Sequence, residues 1–160
     1  MTNPISATPL TYGRGAGQIL KLDEPVSFWG GIDHLGTISD VHHPQHGEFV
    51  TGRILAMTSG RGSSSGAYCL MELMRLDLAP AAIVLCEPDG IISLGVLAAQ
   101  ETYNRTLPII EISLADFDEL VDGAGGAVMS QPNDAKLVVK PGKFESLTSF
   151  LDELGKWAPF

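Results

Sequence analysis

The chain has 160 residues, and its 10 basic and 19 acidic side chains give a formal net charge of −9 at pH 7. This length suits one domain with a core of its own, so we expect a single domain over residues 1–160. The charge argues against a nucleic-acid binder, which needs a cationic face, and against a surface attracted to anionic lipid. Charged residues make up only 18% of the chain and the mean hydropathy is +0.16, which predicts that another molecule covers part of the surface.

The first residues carry no basic stretch followed by an apolar one, so no secretory signal is predicted. No apolar run approaches the roughly 20 residues that span a bilayer. Cys69 and Cys86 stand in apolar segments, which favours buried free thiols over a disulfide, and two cysteines so placed cannot hold an iron–sulfur cluster alone. We therefore expect a cytoplasmic protein, with no membrane or nucleic-acid partner and with no metal or other cofactor held by this chain.

The first third of the chain is rich in glycine and in short β-type runs. Pro25–Trp29 is predicted as a short strand that ends at Gly30 and Gly31, since glycine permits a positive φ. Gly36–Asp40 is predicted as a second strand, and Arg53–Met57 as a buried one.

From Ala67 the apolar period becomes helical, and this helix is predicted to stop before Pro80. Strands and helices then alternate. The further strands are predicted at Ala81–Cys86, Leu107–Ile112, Ala127–Gln131 and Lys136–Lys140, and the further helices at Ile92–Tyr103, Ser113–Val121 and Phe144–Lys156. This order predicts an α/β fold in which a β-rich layer lies beside a mixed sheet covered by helices.

A loop rich in glycine and serine separates the strand Arg53–Met57 from the first helix. Ser63, Ser64 and Ser65 precede a helix whose first backbone N–H groups have no intrahelical partner, and such groups favour an anion. Arg61 can add a bidentate contact to a carboxylate or phosphate. One serine would be enough to cap the helix, so two readings stay open: a turn with a cap, or a ligand site.

Two other chemistries can be read into this part of the chain. Gly62–Gly66 fits the G-x-S-x-G pattern of a serine hydrolase, with Ser64 as nucleophile, but all four histidines precede the serines instead of following them. The P-loop pattern is absent, and the glycines of Gly13–Gly17 are too closely spaced for a dinucleotide site.

Three histidines, His42, His43 and His46, stand close together near Asp33, which raises the question of a metal site. Pro44 breaks any helical presentation of that spacing. We therefore expect a polar loop with hydrogen-bonded histidines and no metal. For Asp33 and His43, a place in a cleft and a role in a turn both stay open.

Taken together, the stretches Pro25–Asp33 and Ser59–Tyr68 resemble the aconitase X swivel domain, the family that includes the small subunit of archaeal phosphomevalonate dehydratase. The resemblance extends over most of the chain and includes Asp40–Pro44, Gly47–Glu48 and Ala79–Ile83. It implies a swivelling β/β/α domain. It also implies a partner, a large aconitase X-type subunit that holds iron or an iron–sulfur cluster in bacterial members, and a hydro-lyase reaction that removes water from a hydroxy acid.

The same resemblance implies roles for the loop residues. The family's catalytic base is a serine of this loop, and its place after Gly-x-Gly puts it at Ser63. Arg61, Gly62, Ser64 and Ser65 are then candidates for substrate binding. In aconitase the loop reads Gly-Ser-Ser-Arg-Glu, and its arginine binds a substrate carboxylate. Ser65 and Gly66 stand in the last two places here, which favours a substrate with fewer carboxylates than citrate.

The sequence does not distinguish a pyrroline ring from a phosphate. The resemblance to bacterial members favours cis-3-hydroxy-L-proline as substrate, with mevalonate 5-phosphate as the alternative. A third possibility is a regulatory module that binds a carboxylate or phosphate without chemistry.

Overall fold

The computed structural model describes residues 1–156, which form seven strands and four helices. The strands are β1 Ile5–Thr11, β2 Gly13–Lys21, β3 Ile54–Ala56, β4 Ala82–Leu85, β5 Ile109–Glu111, β6 Gly125–Gln131 and β7 Asp134–Lys140. The helices are α1 Gly66–Arg75, α2 Gly90–Tyr103, α3 Leu114–Glu119 and α4 Leu147–Gly155. Of the predicted single domain over residues 1–160, the last four residues lie outside the described part.

The seven strands close into one barrel in the order β1-β5-β4-β3-β2-β6-β7. Strands β2, β3, β4 and β5 pair side by side in parallel, and α1 and α2 are the crossover helices after β3 and β4. The remaining pairs, β1 with β5 and β7, and β6 with β2 and β7, are antiparallel. The β-rich layer and the mixed sheet expected from the sequence are therefore two sides of a single closed sheet.

Alternation along the strands builds two cores. Ile19, Ile54 and Val84 point to one side, where they pack with the apolar residues of β5, β6 and β7, and this side is the barrel interior. Their neighbours Leu20 and Leu55 point to the other side and pack under α1 and α2. Because β3 and β4 are buried on both faces, they read in the sequence as continuous apolar runs.

Helix α4 covers the barrel on a different side. Its Phe150 is 2% exposed and packs with Ala127 of β6 and with Phe144. Gly125 makes room for this contact, because a methyl group there would come within 2.7 Å of the Phe150 ring. The amphipathic pattern predicted for Phe144–Lys156 is thus correct, but the helix itself begins only at Leu147, after the cap residue Ser146.

The prediction of a strand at Pro25–Trp29 is wrong. Ser27 begins a tight turn instead: its hydroxyl accepts the N–H of Trp29 at 3.1 Å, and its carbonyl accepts the N–H of Gly31 at 3.1 Å. The hydroxyl and the carbonyl oxygen of Ser27 thus both accept from residues a few positions further along, which requires a bent backbone and excludes an extended strand. Gly36–Asp40 is likewise no strand and contributes only isolated bridges, such as Ile32 to Ile38.

No helix among residues 1–156 is long and apolar enough to cross a membrane.

Candidate functional site

The serine loop, residues 58–65, connects the end of β3 to the start of α1. Strand β3 is fully buried, whereas Arg61, Gly62, Ser63 and Ser64 are exposed and Ser65 is half-buried. The loop therefore carries its polar side chains from the middle of the sheet directly to the surface. This places every residue predicted for the site on one exposed segment.

The Ser63 hydroxyl accepts the backbone N–H of Ser65 at 3.1 Å. The residue directly before α1, Ser65, makes no capping hydrogen bond with its own side chain. The N–H groups of Gly66, Ala67 and Cys69 are instead bound by the carbonyls of Ser63, Ser64 and Ser65. The expectation that the first N–H groups of this helix stay open for an anion is thus wrong for Gly66 and Ala67, which the loop backbone already binds, while the Cys69 bond to Ser65 is the first regular helical one.

Two glycines bring the loop into close contact with its neighbours. A methyl group at Gly60 would overlap the carboxylate of Asp89, and one at Gly62 would overlap the hydroxyl of Ser27. Gly62 also has a φ of +106°, which disfavours any other residue. The loop thus packs between the turn at Ser27 and the cap of α2, where Asp89 accepts the N–H groups of Ile91 at 2.9 Å and of Ile92 at 3.1 Å.

The turn that follows Ser27 lies against the start of α1. The position a methyl group would take at Gly66 is 3.7 Å from Cβ of Phe28 and 3.9 Å from the backbone nitrogen of Trp29. Phe28 is buried in the core under α1, while the Trp29 side chain is 60% exposed beside the loop. The two stretches that together carry the family resemblance therefore meet in space, although the 25 residues 34–58 separate them along the chain.

Arg61 makes no hydrogen bond or ion pair with any residue of the described range 1–156, and its side chain is exposed. Ser64 lines a groove between α1 and α2. The hydroxyl groups of the loop and the Arg61 guanidinium are thus presented to whatever lies over this surface. Within residues 1–156, the hydrogen bond found for the Ser63 hydroxyl is the one from the Ser65 N–H.

Asp33 and His43 both have structural roles. The Asp33 carboxylate accepts the N–H groups of Leu35 at 2.9 Å and Thr37 at 3.0 Å, which closes a turn. His43 is 4% exposed, and its Nδ1 accepts the N–H of Gln45 while Nε2 lies 2.9 Å from the carbonyl of Glu24. This pairing assigns a neutral ring with the proton on Nε2. Both nitrogens of His43 are occupied, so this histidine cannot serve as the base of a Ser64 hydrolase.

No group of three or more His, Cys, Asp and Glu side chains in the described part of the chain is placed to hold a metal ion. The cysteines, Cys69 and Cys86, are both free and half-buried. Burial raises the pKa of both thiols, and the nearby carboxylates of Asp118, Glu87 and Glu111 raise that of Cys86 further. Both thiols are therefore held in the protonated form in this chain.

Comparison with known families identifies this arrangement. Residues 4–136 match the model of the aconitase X swivel domain. The chain belongs to the aconitase X swivel domain family. The serine loop, the turn at Ser27 and the strands that carry them all fall inside the matched range, which confirms the family expected from the two stretches.

Relatives of known name are of two kinds. The chain is 44% identical over 112 residues to the cis-3-hydroxy-L-proline dehydratase of Pseudomonas aeruginosa, a match that covers 69% of this chain and 19% of that protein. It is 36% identical over 112 residues to the phosphomevalonate dehydratase small subunit of Archaeoglobus fulgidus, which covers 70% of this chain and 80% of the subunit. The chain thus spans about a fifth of the hydroxyproline dehydratases that it matches, but most of a small subunit.

The fold has a counterpart of known structure. The crystal structure of Thermococcus kodakaraensis aconitase X in its holo-form superposes with a TM-score of 0.74 and 23% identity, covering 86% of this chain and 99% of the matched chain. This likeness confirms the α/β swivel fold.

Two residues that contact the serine loop, Asp89 and Ser27, carry no pattern in the sequence that marks them as site residues. Asp89 reads there only as a polar residue before a helix, and Ser27 as part of a short strand. Their relation to Gly60 and Gly62 depends on how β3, β4 and the turn at Ser27 pack side by side, which no local pattern reveals.

Proposed function

We propose that this chain is the swivel component of an aconitase X-type dehydratase, and that its serine loop completes an active site on a large partner subunit. In this proposal Ser63 is the base, and the substrate is a hydroxy acid, with cis-3-hydroxy-L-proline preferred. The single observation that carries the proposal is the geometry of Ser63. Its hydroxyl lies on an exposed loop and accepts a backbone N–H at 3.1 Å.

That N–H bears on the chemistry because a serine hydroxyl is a weak base in its neutral form. A donor directed at an oxygen stabilises the anionic state and lowers the pKa of the group. The Ser65 N–H is fixed by the backbone, so it is already in place before substrate arrives. In this proposal the partner supplies the rest of the stabilisation, since the described residues 1–156 bring no further donor to that oxygen.

The proposed step is a proton transfer followed by loss of water. Ser63 Oγ, as the alkoxide, takes the proton from the carbon next to the substrate carboxylate. The electron pair of that C–H bond forms a carbon–carbon double bond, and the hydroxyl on the neighbouring carbon leaves with its bonding pair as hydroxide. Transfer of the proton from Ser63 Oγ to that hydroxide then gives water and restores the alkoxide. Arg61, Ser64 and Ser65 would hold the substrate, and Gly62 would let the backbone approach it.

The family resemblance assigns iron or an iron–sulfur cluster to the large subunit. The described residues of this chain do not fit such a group, because no cluster of three or more ligand side chains is present in residues 1–156, and Cys69 and Cys86 are too few for the thiolates that a cluster needs. The roles proposed for this chain are therefore those of its own side chains, and the iron or cluster would belong to the large subunit.

Relatives of both names share the domain, so the substrate is a proposal that rests on the degree of identity. The hydroxyproline dehydratase of P. aeruginosa is 44% identical and the small subunit of A. fulgidus 36% identical. This difference favours cis-3-hydroxy-L-proline, and mevalonate 5-phosphate is the alternative.

The test is reconstitution with the large aconitase X-type subunit encoded in the same genome. The two chains are purified together, and water loss is measured for cis-3-hydroxy-L-proline and for mevalonate 5-phosphate, with each chain alone as control. Turnover of the first substrate by the pair only is expected. Turnover of the second alone would establish the alternative substrate. Binding of either substrate without turnover would replace the dehydratase with a regulatory binding module.

A further inference from the structure

An apolar groove runs between α1 and α2 and ends at the serine loop. Its volume is about 440 Å³, and Ser64 lies among its lining residues, together with Tyr68, Met71, Ile91 and Leu94. Small residues of both helices, Ala67, Gly90, Gly95 and Ala98, also belong to its lining. At Gly95 a methyl group would come within 2.7 Å of the carbonyl of Ala67, so only glycine permits this close contact of the helices.

The walls of the groove are apolar side chains that are exposed to solvent. Tyr68 is 75% exposed and Leu94 is 63% exposed. Helix α2 has a single charged residue, Glu101, in fourteen positions, although the chain as a whole has a net charge of −9. A helix on the surface of a protein usually carries charged residues on its outer face. The outer face of α2 thus has the composition of a surface that another protein buries.

We infer that this groove is the surface on which the large partner subunit docks, and that an apolar side chain of that subunit fills it. The inference rests on the proposed function, and it specifies where the partner sits. The groove is continuous with the serine loop through Ser64, and Trp29, 60% exposed, lies on the turn that packs beside the same loop. A subunit that covers Ser63 to complete the site therefore extends directly over the groove.

The lining also excludes the small substrate as the occupant. A hydroxy acid carries a carboxylate, which requires charged or hydrogen-bonding partners once it leaves water. The groove residues are Ser64, Ala67, Tyr68, Met71, Gly90, Ile91, Leu94, Gly95 and Ala98, and none of them is charged. An apolar side chain of a protein partner matches this lining, and its burial would also exclude water from the neighbouring loop.

The test compares two substitutions at equally exposed leucine and valine side chains. Leu94→Arg places a charge in the groove, and Val121→Arg, at a site 61% exposed in the segment after α3, is the matched control. Tyr68→Ala removes one wall of the groove and serves as a second variant. The affinity of each variant for the co-expressed large subunit is measured by calorimetry, and its fold is checked by thermal unfolding of the chain alone.

Leu94→Arg and Tyr68→Ala are expected to weaken the association at least about tenfold, which is typical of a central interface residue. Val121→Arg should bind like the wild type, and all three should unfold near the wild-type temperature. Wild-type affinity and turnover in both groove variants would overturn the docking surface and leave the proposed function standing. Weakened association of the variants, beside a wild-type pair that turns over neither substrate, would overturn the function instead. If the variants change only self-association of this chain, the occupant is a second copy and the inference is wrong.

Discussion

At the scale of single residues, the proposed chemistry depends on which role the Ser63 hydroxyl performs. It accepts the N–H of Ser65, so it has a structural role at the entry to α1 as well as a proposed catalytic one. The two roles make different demands. The structural role needs only an acceptor oxygen, which asparagine can also supply in a turn. Proton removal needs an oxygen that can lose and regain a proton.

We predict that Ser63→Ala and Ser63→Asn both lower kcat of the reconstituted pair by about 10² or more, the contribution typical of a general base. Turnover under saturating substrate is the measurement, with association of the two chains checked separately. Ser59→Ala, in the same loop and half-buried, is the matched control and should keep near-normal turnover. If Ser63→Asn is active while Ser63→Ala is not, the hydroxyl acts only through the turn and the base lies elsewhere.

Two features of the structure favour glycine at position 62, its positive φ and its close contact with Ser27, and substitutions can distinguish their effects. The φ of Gly62 is +106°, and a methyl group would also overlap the Ser27 hydroxyl. Gly47 has a φ of +89° with no atom within 4 Å of the same position, so it carries the backbone cost alone. We predict that Gly47→Ala and Gly62→Ala each lower the free energy of unfolding by about 1–3 kcal/mol in a urea titration. Only Gly62→Ala should also reduce turnover, because it moves the loop away from Ser27.

The result that would count against this account is equal turnover in the two glycine variants. It would mean that the loop can shift without consequence, and that the contact between Gly62 and Ser27 does not position Ser63.

At the scale of elements, sequence periodicity predicts the part of the chain where packing is regular. Helices α1, α2 and α3 and strands β3 to β7 lie within a few residues of their expected positions. Each of these strands is either buried on both faces or joined to its neighbour by a short turn, so composition alone reveals it. The helix predicted from Ser113 likewise begins there: Ser113 is the capping residue of α3, and its hydroxyl accepts the N–H of Asp116.

The sequence does not predict the first two strands, β1 and β2, because they lack that pattern. Strand β2 contains three glycines, which are poor strand formers, and β1 contains Pro9. The glycines have a tertiary reason: a methyl group at Gly15 would overlap the carbonyl of Ala81, and one at Gly17 the carbonyl of Gly52. Closure of the barrel depends on β1 and β2, so the local sequence pattern does not predict it. Nor does it predict the contacts of the serine loop with Ser27 and Asp89.

The crossing of α1 and α2 provides a test at this scale. We predict that Gly95→Ala lowers the free energy of unfolding by about 1–3 kcal/mol, since the methyl group would come within 2.7 Å of the Ala67 carbonyl and force the helices apart. Helix propensity alone would make the same change stabilising by about 1 kcal/mol.

Gly90→Ala is the matched control, because Gly90 lies on the same helix with no atom within 4 Å of the added methyl. It should be neutral or slightly stabilising in the same urea titration. A stabilising effect of both substitutions would show that the two helices separate at little cost, and that the groove between them is not set by Gly95.

At the scale of the whole molecule, the acidic balance of the chain sets a condition on the site. With a net charge of −9, the field of the chain does not attract an anionic substrate. Ion pairs hold several of the basic residues: Arg53 with Glu48, Arg75 with Glu72, Arg105 with Asp77 and Lys140 with Glu153. Arg61 forms no such pair within residues 1–156, and it is the basic residue of the serine loop. A carboxylate that reaches this loop therefore depends on a local donor.

We predict that Arg61→Gln raises KM of the reconstituted pair about ten- to hundredfold with a smaller effect on kcat. A hydrogen bond to a charged group contributes about 1.5–3 kcal/mol, and this one would hold the substrate before and during proton transfer alike. The KM of Arg61→Lys should fall between those of the wild type and Arg61→Gln, because lysine keeps the charge but loses the planar pair of donors. Arg75→Gln removes an equal charge from α1, where Arg75 is paired with Glu72 at 2.6 Å, and should leave KM unchanged. If both glutamine variants raise KM alike, the chain attracts its substrate through overall charge, and Arg61 has no special place in the site.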